Sequence, residues 1–298
     1  MYHGGKADVR FPKLSLIDLL PFSGPVPKDY LLMIFKSYFD GGNQADSTQY
    51  DVLTLASVSG TLDMWKLFER DWKAVLIKHR APFLHTTDAV SLLREPFTRD
   101  NGWDEDRRDA FLLDCVTVVD NHIGRPRTKT MPARVGLVPY TVTIVLDDFL
   151  KARKVNPAVP KTATELCATQ AAWRCVDLGY RAGANFFHLV FDQGEPFMGH
   201  IHDRMRNKKA RKHLKILNRI TSLTEADMRL FPAIQMADLF AWCISHKNSE
   251  SRFKWQNRIL AYRKWIDEWF TYEHMAQIKP ETADLVNSWN LPPRRATR

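Results

Sequence analysis

The chain has 298 residues, 45% hydrophobic and 26% charged, a balance typical of globular domains that excludes a disordered or fibrous chain. No apolar stretch approaches the roughly 20 residues that span a bilayer, so neither a membrane-crossing helix nor a membrane partner is expected. The formal net charge is +9 and it is concentrated, because Arg204, Arg206, Lys208, Lys209, Arg211, Lys212, Lys215 and Arg219 follow one another with no acidic residue between them.

Residues 1–31 hold Pro12, Pro21, Pro25 and Pro27 and show little periodicity, which predicts an irregular arm. Met1 to Arg10 lacks a basic-then-apolar leader pattern, so a cytoplasmic protein is expected. Leu32 to Asp40 reads as the first core strand and Tyr50 to Val58 as the second. The short connection between them predicts antiparallel pairing. Apolar residues at Leu62, Trp65, Leu67, Phe68, Trp72, Val75 and Leu76 recur at helical spacing, and Glu105 to His122 is a second helix candidate. Tyr140 to Leu146 is rich in β-branched residues and predicts a strand. Thr164 to Gly183 predicts a long helix capped by Thr162 or Thr164.

Phe186 to Asp192 follows as a buried strand, and Pro196 can open a helix that runs into the basic block. Ile220 to Leu223 suggests a short strand, and Pro232 starts an apolar helix containing Asp238. Arg252 to Trp269 reads as one further helix, its apolar residues Phe253, Ile259, Tyr262, Ile266 and Trp269 packing inward rather than stacking on bases. These elements predict a mixed α/β sheet flanked by helices over residues 32–245, with residues 246–298 as a helical extension and tail.

Three aspartates carry the chemical interest. Asp40 and Asp192 each close an apolar run, and Asp238 borders the packed face of its helix beside Gln235. Each has a plainer reading: Asp40 as a turn residue before Gly41-Gly42, Asp192 as a helix cap, and Asp238 as the partner of an arginine. If the fold gathers them, their repulsion calls for a cation or a proton. Hard oxygen ligands of this kind suit Mg²⁺ or Mn²⁺.

Tyr38-Phe39-Asp40-Gly41, Phe191-Asp192-Gln193 and Ile234-Gln235-Met236-Ala237-Asp238-Leu239 resemble motifs of the domain-of-unknown-function 3800 family, assigned to the ribonuclease-H-like superfamily. His85-Thr86-Thr87-Asp88 resembles a short segment after the first core helix in some members. The resemblance covers residues 32–245 and implies a ribonuclease-H-like sheet with Asp40, Asp192 and Asp238 at one edge. Many members place a glutamate and a serine after the first aspartate, where this chain has Gly41 and Gly42; Asp88 or Glu195 is a candidate to compensate.

The leading expectation is a metal-dependent nuclease or phosphodiesterase. In it Asp40, Asp192 and Asp238 ligate Mg²⁺ or Mn²⁺, and Gln235 holds the last carboxylate or a ligand water. His85 stands nearby, and Arg204, Lys208, Lys209, Arg211 and Lys212 position phosphate. The alternative is a catalytically silent module that binds nucleic acid or a protein, favoured by Gly41. A block of positive charge also forms many ordinary solvated faces, so a purely structural reading stays open.

Rival chemistry finds less footing. His200 and His202 alternate, but in a helix they point about 200° apart, which disfavours zinc. Cys115, Cys167, Cys175 and Cys243 have no Cys-x-x-Cys spacing and are expected as buried reduced thiols. The chain has no Gly-x-x-x-x-Gly-Lys phosphate loop and no Gly-x-Ser-x-Gly elbow.

Overall fold

The computed structural model describes residues 34–42, 52–124, 136–206, 219–247, 253–261 and 266–278. In chain order the first elements are β1 (Ile34–Gly42), β2 (Val52–Thr61), α1 (Leu62–His79), α2 (Thr86–Ser91), α3 (Glu105–His122), β3 (Val138–Val145) and α4 (Leu146–Val155). There follow α5 (Ala163–Arg181), β4 (Phe186–Asp192), α6 (Phe197–Arg206), β5 (Ile220–Ala226), α7 (Pro232–Ser245), α8 (Lys254–Leu260), β6 (Ile266–Phe270) and α9 (Tyr272–Ala276).

The strands form one six-stranded mixed sheet in the order β5-β4-β1-β2-β3-β6. β1, β2 and β3 pair antiparallel, as the short β1–β2 connection predicts. β4 runs parallel to β1, β5 parallel to β4, and β6 parallel to β3. Helices cover both faces, so the central strands are buried on both sides and read as nearly continuous apolar runs. On one face Tyr38, Ala56, Val58 and Val190 pack with α1, α3, α7 and α8. On the other, Phe35, Phe39, Leu55, Phe187 and Phe191 pack with α4, α5 and α6. Phe39 and Phe191 stack across β1 and β4 with ring centroids 4.4 Å apart.

The helix boundaries follow local chemistry. Thr162 caps α5, its hydroxyl accepting from the Glu165 amide at 3.0 Å, and Asp104 caps α3 through the Arg107 amide at 2.8 Å. Every residue of α7 from Pro232 to Ile244 is buried, which explains why this helix is apolar around its whole circumference.

Two expectations change. Arg252 to Trp269 is not a single helix: α8 ends at Leu260, and Ile266–Phe270 is a strand that extends the sheet beyond β3. The alternation Ile266, Glu268, Phe270 is too short to separate strand from helix by period alone. Polar partners on β3 and α5 decide it, with Tyr140 donating to Glu268 at 2.7 Å and Thr141 to Asp267 at 2.8 Å. Residues after 245 therefore supply a strand to the sheet as well as helices. The strand expected over Ile220 to Leu223 runs on to Ala226, paired with β4. The predicted arm over 1–31 and the tail from Pro292 lie outside the described residues. Among the described residues, no helix is long and apolar enough to cross a membrane.

Candidate metal centre

Strand alternation selects which carboxylates meet. Phe39 lies opposite Phe191 in the parallel β1–β4 pair, so Asp40 and Asp192 are the next residues along at the carboxyl ends of their strands. Side chains alternate between faces, so both aspartates fall on the face covered by α7, opposite the Phe39–Phe191 stack. The chain then turns after Asp192, with the Glu195 amide bonding back to the Asp192 carbonyl at 3.4 Å. Gly194 sits at the third position of this turn with φ +87, a conformation that other residues adopt at a cost. The turn brings Glu195 back to the sheet. Carboxylate oxygens of Asp40, Asp192 and Glu195 all lie within 4.8 Å of one another, with Asp40 buried and the other two half-buried. This trio can hold a metal ion.

Asp238 joins from α7, buried at 6% exposure. It accepts a 2.6 Å hydrogen bond from the Thr86 amide and stands within hydrogen-bonding reach of Asp40. The three aspartates singled out in the sequence therefore converge, and Glu195 completes the tightest trio.

The electrostatics follow from this crowding. Burial, then the charges of Asp238, Glu195 and Asp192, hold the Asp40 carboxyl well above its ordinary range. The Gly41 amide, 2.9 Å from Oδ1, opposes that shift. Burial also raises Asp192 and Asp238. The Met228 and Gln193 amides counteract it at Asp192, and His85 with the Thr86 amide counteracts it at Asp238. Burial alone would lower the His85 imidazole, but Asp238, the hydrogen bond to Asp88 and the charge of Asp192 outweigh it and hold the ring above 6.5. His85 supplies a partial counter-charge to this group of acids.

Glu195, a candidate to compensate for the missing glutamate, stands in the trio, while Asp88 and Gln235 bond elsewhere. Asp88 does not join the carboxylate trio; its Oδ2 lies 2.6 Å from His85 Nδ1 and fixes the ring. Gln235 does not hold a carboxylate. Its Oε1 accepts from Trp72 Nε1 at 2.8 Å and from the Leu84 amide at 3.0 Å, and its Nε2 donates to the Met228 carbonyl at 2.9 Å. Both ends of these bonds matter. Leu84 lies two residues before the Thr86 amide that serves Asp238, and the Met228 amide serves Asp192 at 3.0 Å. A single buried amide thus ties together the two loops that feed hydrogen bonds to the site.

Arg204, expected on phosphate, pairs instead with Glu165 at 3.1 Å, because α6 packs on α5. Lys208, Lys209, Arg211 and Lys212 lie outside the described residues. His200 and His202 sit on α6 as expected, and the four cysteines are buried free thiols. Phe253 and Trp255 pack against Trp242 rather than presenting to solvent. Sequence reasoning missed the amides of Thr86 and Met228, since any residue supplies an amide and only the loop path aims it. A family-model scan, a search of curated proteins and a search of solved structures give no match to this chain.

Proposed function

We propose that this protein is a divalent-metal-dependent phosphodiester hydrolase acting on nucleic acid, with a ribonuclease-H-like sheet as its resemblance to the domain-of-unknown-function 3800 family implies. The observation that carries this reading is the carboxylate trio of Asp40, Asp192 and Glu195 within 4.8 Å. The donor set is all carboxylate oxygen, which fits Mg²⁺ or Mn²⁺ better than a softer metal. Asp40, Asp192 and Glu195 hold the ion, with Asp238 beside them. An ion so placed polarises phosphate oxygens and activates water. Asp238, pinned by the Thr86 amide, keeps Asp40 in place. His85, fixed by Asp88 and with its proton affinity raised by the surrounding acids, is the group assigned to give a proton to a leaving oxygen.

The test is thermal unfolding with Mn²⁺ and Mg²⁺ on wild type and Asp192→Asn, followed by a nuclease screen. An ion that binds only the folded state at about 100 times its dissociation constant adds about 2.7 kcal/mol. Metal-dependent stabilisation lost in the variant, together with metal-dependent cleavage by wild type, is the expected result. Cleavage that persists in Asp192→Asn removes the assignment.

A second reading, a silent module that binds nucleic acid or a protein, is favoured by Gly41, which stands where many members of the resembled family have a glutamate. A Cβ at Gly42 would lie 2.6 Å from Ser245 Oγ and 3.4 Å from the Ala241 carbonyl. Gly42, where many members of that family have a serine, is thus packed against α7, and the missing glutamate falls at Gly41. Metal binding without cleavage of any nucleic acid would favour this reading.

A further inference from the structure

A concave surface that includes none of the clustered acids lies where the end of α1 meets the turn that precedes α3. Its volume is about 550 Å³, and Lys78, His79, Arg80, Asn101, Trp103 and Arg107 line it. The hydrogen-bond inventory of this surface is one-sided. Arg107 lies over the Trp103 ring at 4.1 Å and donates to the carbonyls of Asn101 at 3.3 Å, Gly102 at 2.9 Å and His79 at 2.6 Å. Three of its five N–H donors are thereby used, all on neutral carbonyls, and among the described residues its charge has no carboxylate partner.

Arg80 is exposed, and its guanidinium makes no hydrogen bond or ion pair among the described residues. Lys78 and His79 share the carboxylate of Asp114, each at 2.6 Å. Both amide hydrogens of Asn101 go to Glu95 and the Pro96 carbonyl. The surface therefore presents the three permanent cations Lys78, Arg80 and Arg107 beside the two carboxylates of Asp114 and Glu95, each already taken up by its neighbours.

We propose that this concavity binds the phosphate group of a phosphorylated ligand. Arg107 is held in advance by three carbonyls and an aromatic face, so little ordering is needed when an anion arrives. Arg80 and Lys78 can approach from other sides. A tetrahedral phosphate accepts from several directions, which suits converging cations better than a planar carboxylate does. The negative end of α1 opposes an anion here. That opposition is reduced because the carbonyls of Leu76, Ile77 and His79 already accept hydrogen bonds from Ala81, Arg80 and Arg107. The volume exceeds that of a lone phosphate and falls within the roughly 300–1,000 Å³ of ligand pockets, so the phosphate is part of a larger molecule.

The site does not depend on the acidic centre, and its test separates the two. Calorimetric titration at low ionic strength uses inorganic phosphate, a nucleoside monophosphate and a single-stranded oligonucleotide, on wild type, Arg80→Gln, Lys78→Ala and Asp192→Asn. Binding to wild type should weaken about tenfold or more in Arg80→Gln and in Lys78→Ala, the loss expected for a charge-assisted hydrogen bond, and stay unchanged in Asp192→Asn. Monophosphate binding with no oligonucleotide binding assigns a small ligand; oligonucleotide binding sensitive to the same variants assigns a nucleic-acid chain. Absence of binding of all three by folded wild type, binding indifferent to Arg80 and Lys78, or equal binding of acetate overturns the proposal.

Discussion

Two ends of the sheet carry acids, and they treat them differently. At the β3–β6 edge, Glu268 accepts from Tyr140 at 2.7 Å, Gln170 at 3.1 Å and Arg174 at 2.5 Å. Neighbouring Asp267 accepts from Thr141 and Trp269 at 2.8 Å and lies 3.6 Å from Lys247. Each acid there has a cation and a neutral donor, and the result is a tie between a strand and its neighbours. At the ends of β1 and β4, Asp40, Asp192, Asp238 and Glu195 face one another, and His85 with a few amides is what offsets them. Acids with cationic partners hold structure together. Acids pressed against acids destabilise a fold unless something else binds, and that is the physical reason to read the second group as a site.

The largest effect should appear at the partnered edge. Arg174→Met removes the cation 2.5 Å from Glu268, and loss of one partner from a largely buried pair costs about 3–5 kcal/mol. Urea unfolding reads this directly; a loss below about 1 kcal/mol would show that the edge does not depend on its ion pairs.

Asp40→Asn should do the reverse at the acidic end. Without metal the variant should be at least as stable as wild type near neutral pH, because an amide costs neither a crowded charge nor the uptake of a proton. With Mn²⁺ at about 100 times the wild-type dissociation constant, it should lack the stabilisation of about 2.7 kcal/mol. A variant less stable than wild type without metal would show that Asp40 is a structural acid like Glu268.

Gln235→Glu is a finer cut. The carboxylate can still accept from Trp72 and Leu84 but can no longer donate to the Met228 carbonyl, so the loop serving Asp192 is released while the loop serving Asp238 stays. Loss of such an outer partner weakens metal binding by roughly 10–100-fold. Calorimetry well below the melting temperature separates this from a general loss of stability, and unchanged Mn²⁺ affinity would reduce Gln235 to core packing.

The smallest effect is in pH. Asp40, Asp192 and Asp238 are raised above the ordinary 3.8. In the fold they keep protons that the unfolded chain has released, so their favourable contribution is complete below 3.8 and is lost as pH rises through the folded values. His85, raised above 6.5, changes in the same direction at higher pH. The melting temperature of metal-free wild type relative to Asp40→Asn should fall as pH rises above 3.8. A constant difference across pH would mean that Asp40 does not titrate in that window.

Much of this was legible in the sequence, for identifiable reasons. The apolar run before Asp192 located the end of β4, and the run before Asp40 located β1, although that strand continues through Gly41 and Gly42; Pro232 with the apolar run behind it located α7 and Asp238. The Gln-x-Ala-Asp stretch marked a special helix, although the work of Gln235 was misread, because spacing places it near Asp238 without showing that Trp72 and Leu84 hold it. The β6 strand was missed because a five-residue segment takes its conformation from partners on β3 and α5.

The sequence by itself determined the residue types and the local elements: which apolar runs carry acids near their ends, which helix is apolar throughout, and that a threonine opens α5. These are short-range properties, set by side-chain alternation, helical spacing and capping hydrogen bonds. Tertiary structure decided that Glu195 returns to Asp40 and Asp192, that the Thr86 and Met228 amides reach the acids, and that Asp88 serves His85. Those contacts join residues far apart in the chain or hidden within turns, and only strand register and the paths of the loops bring them together.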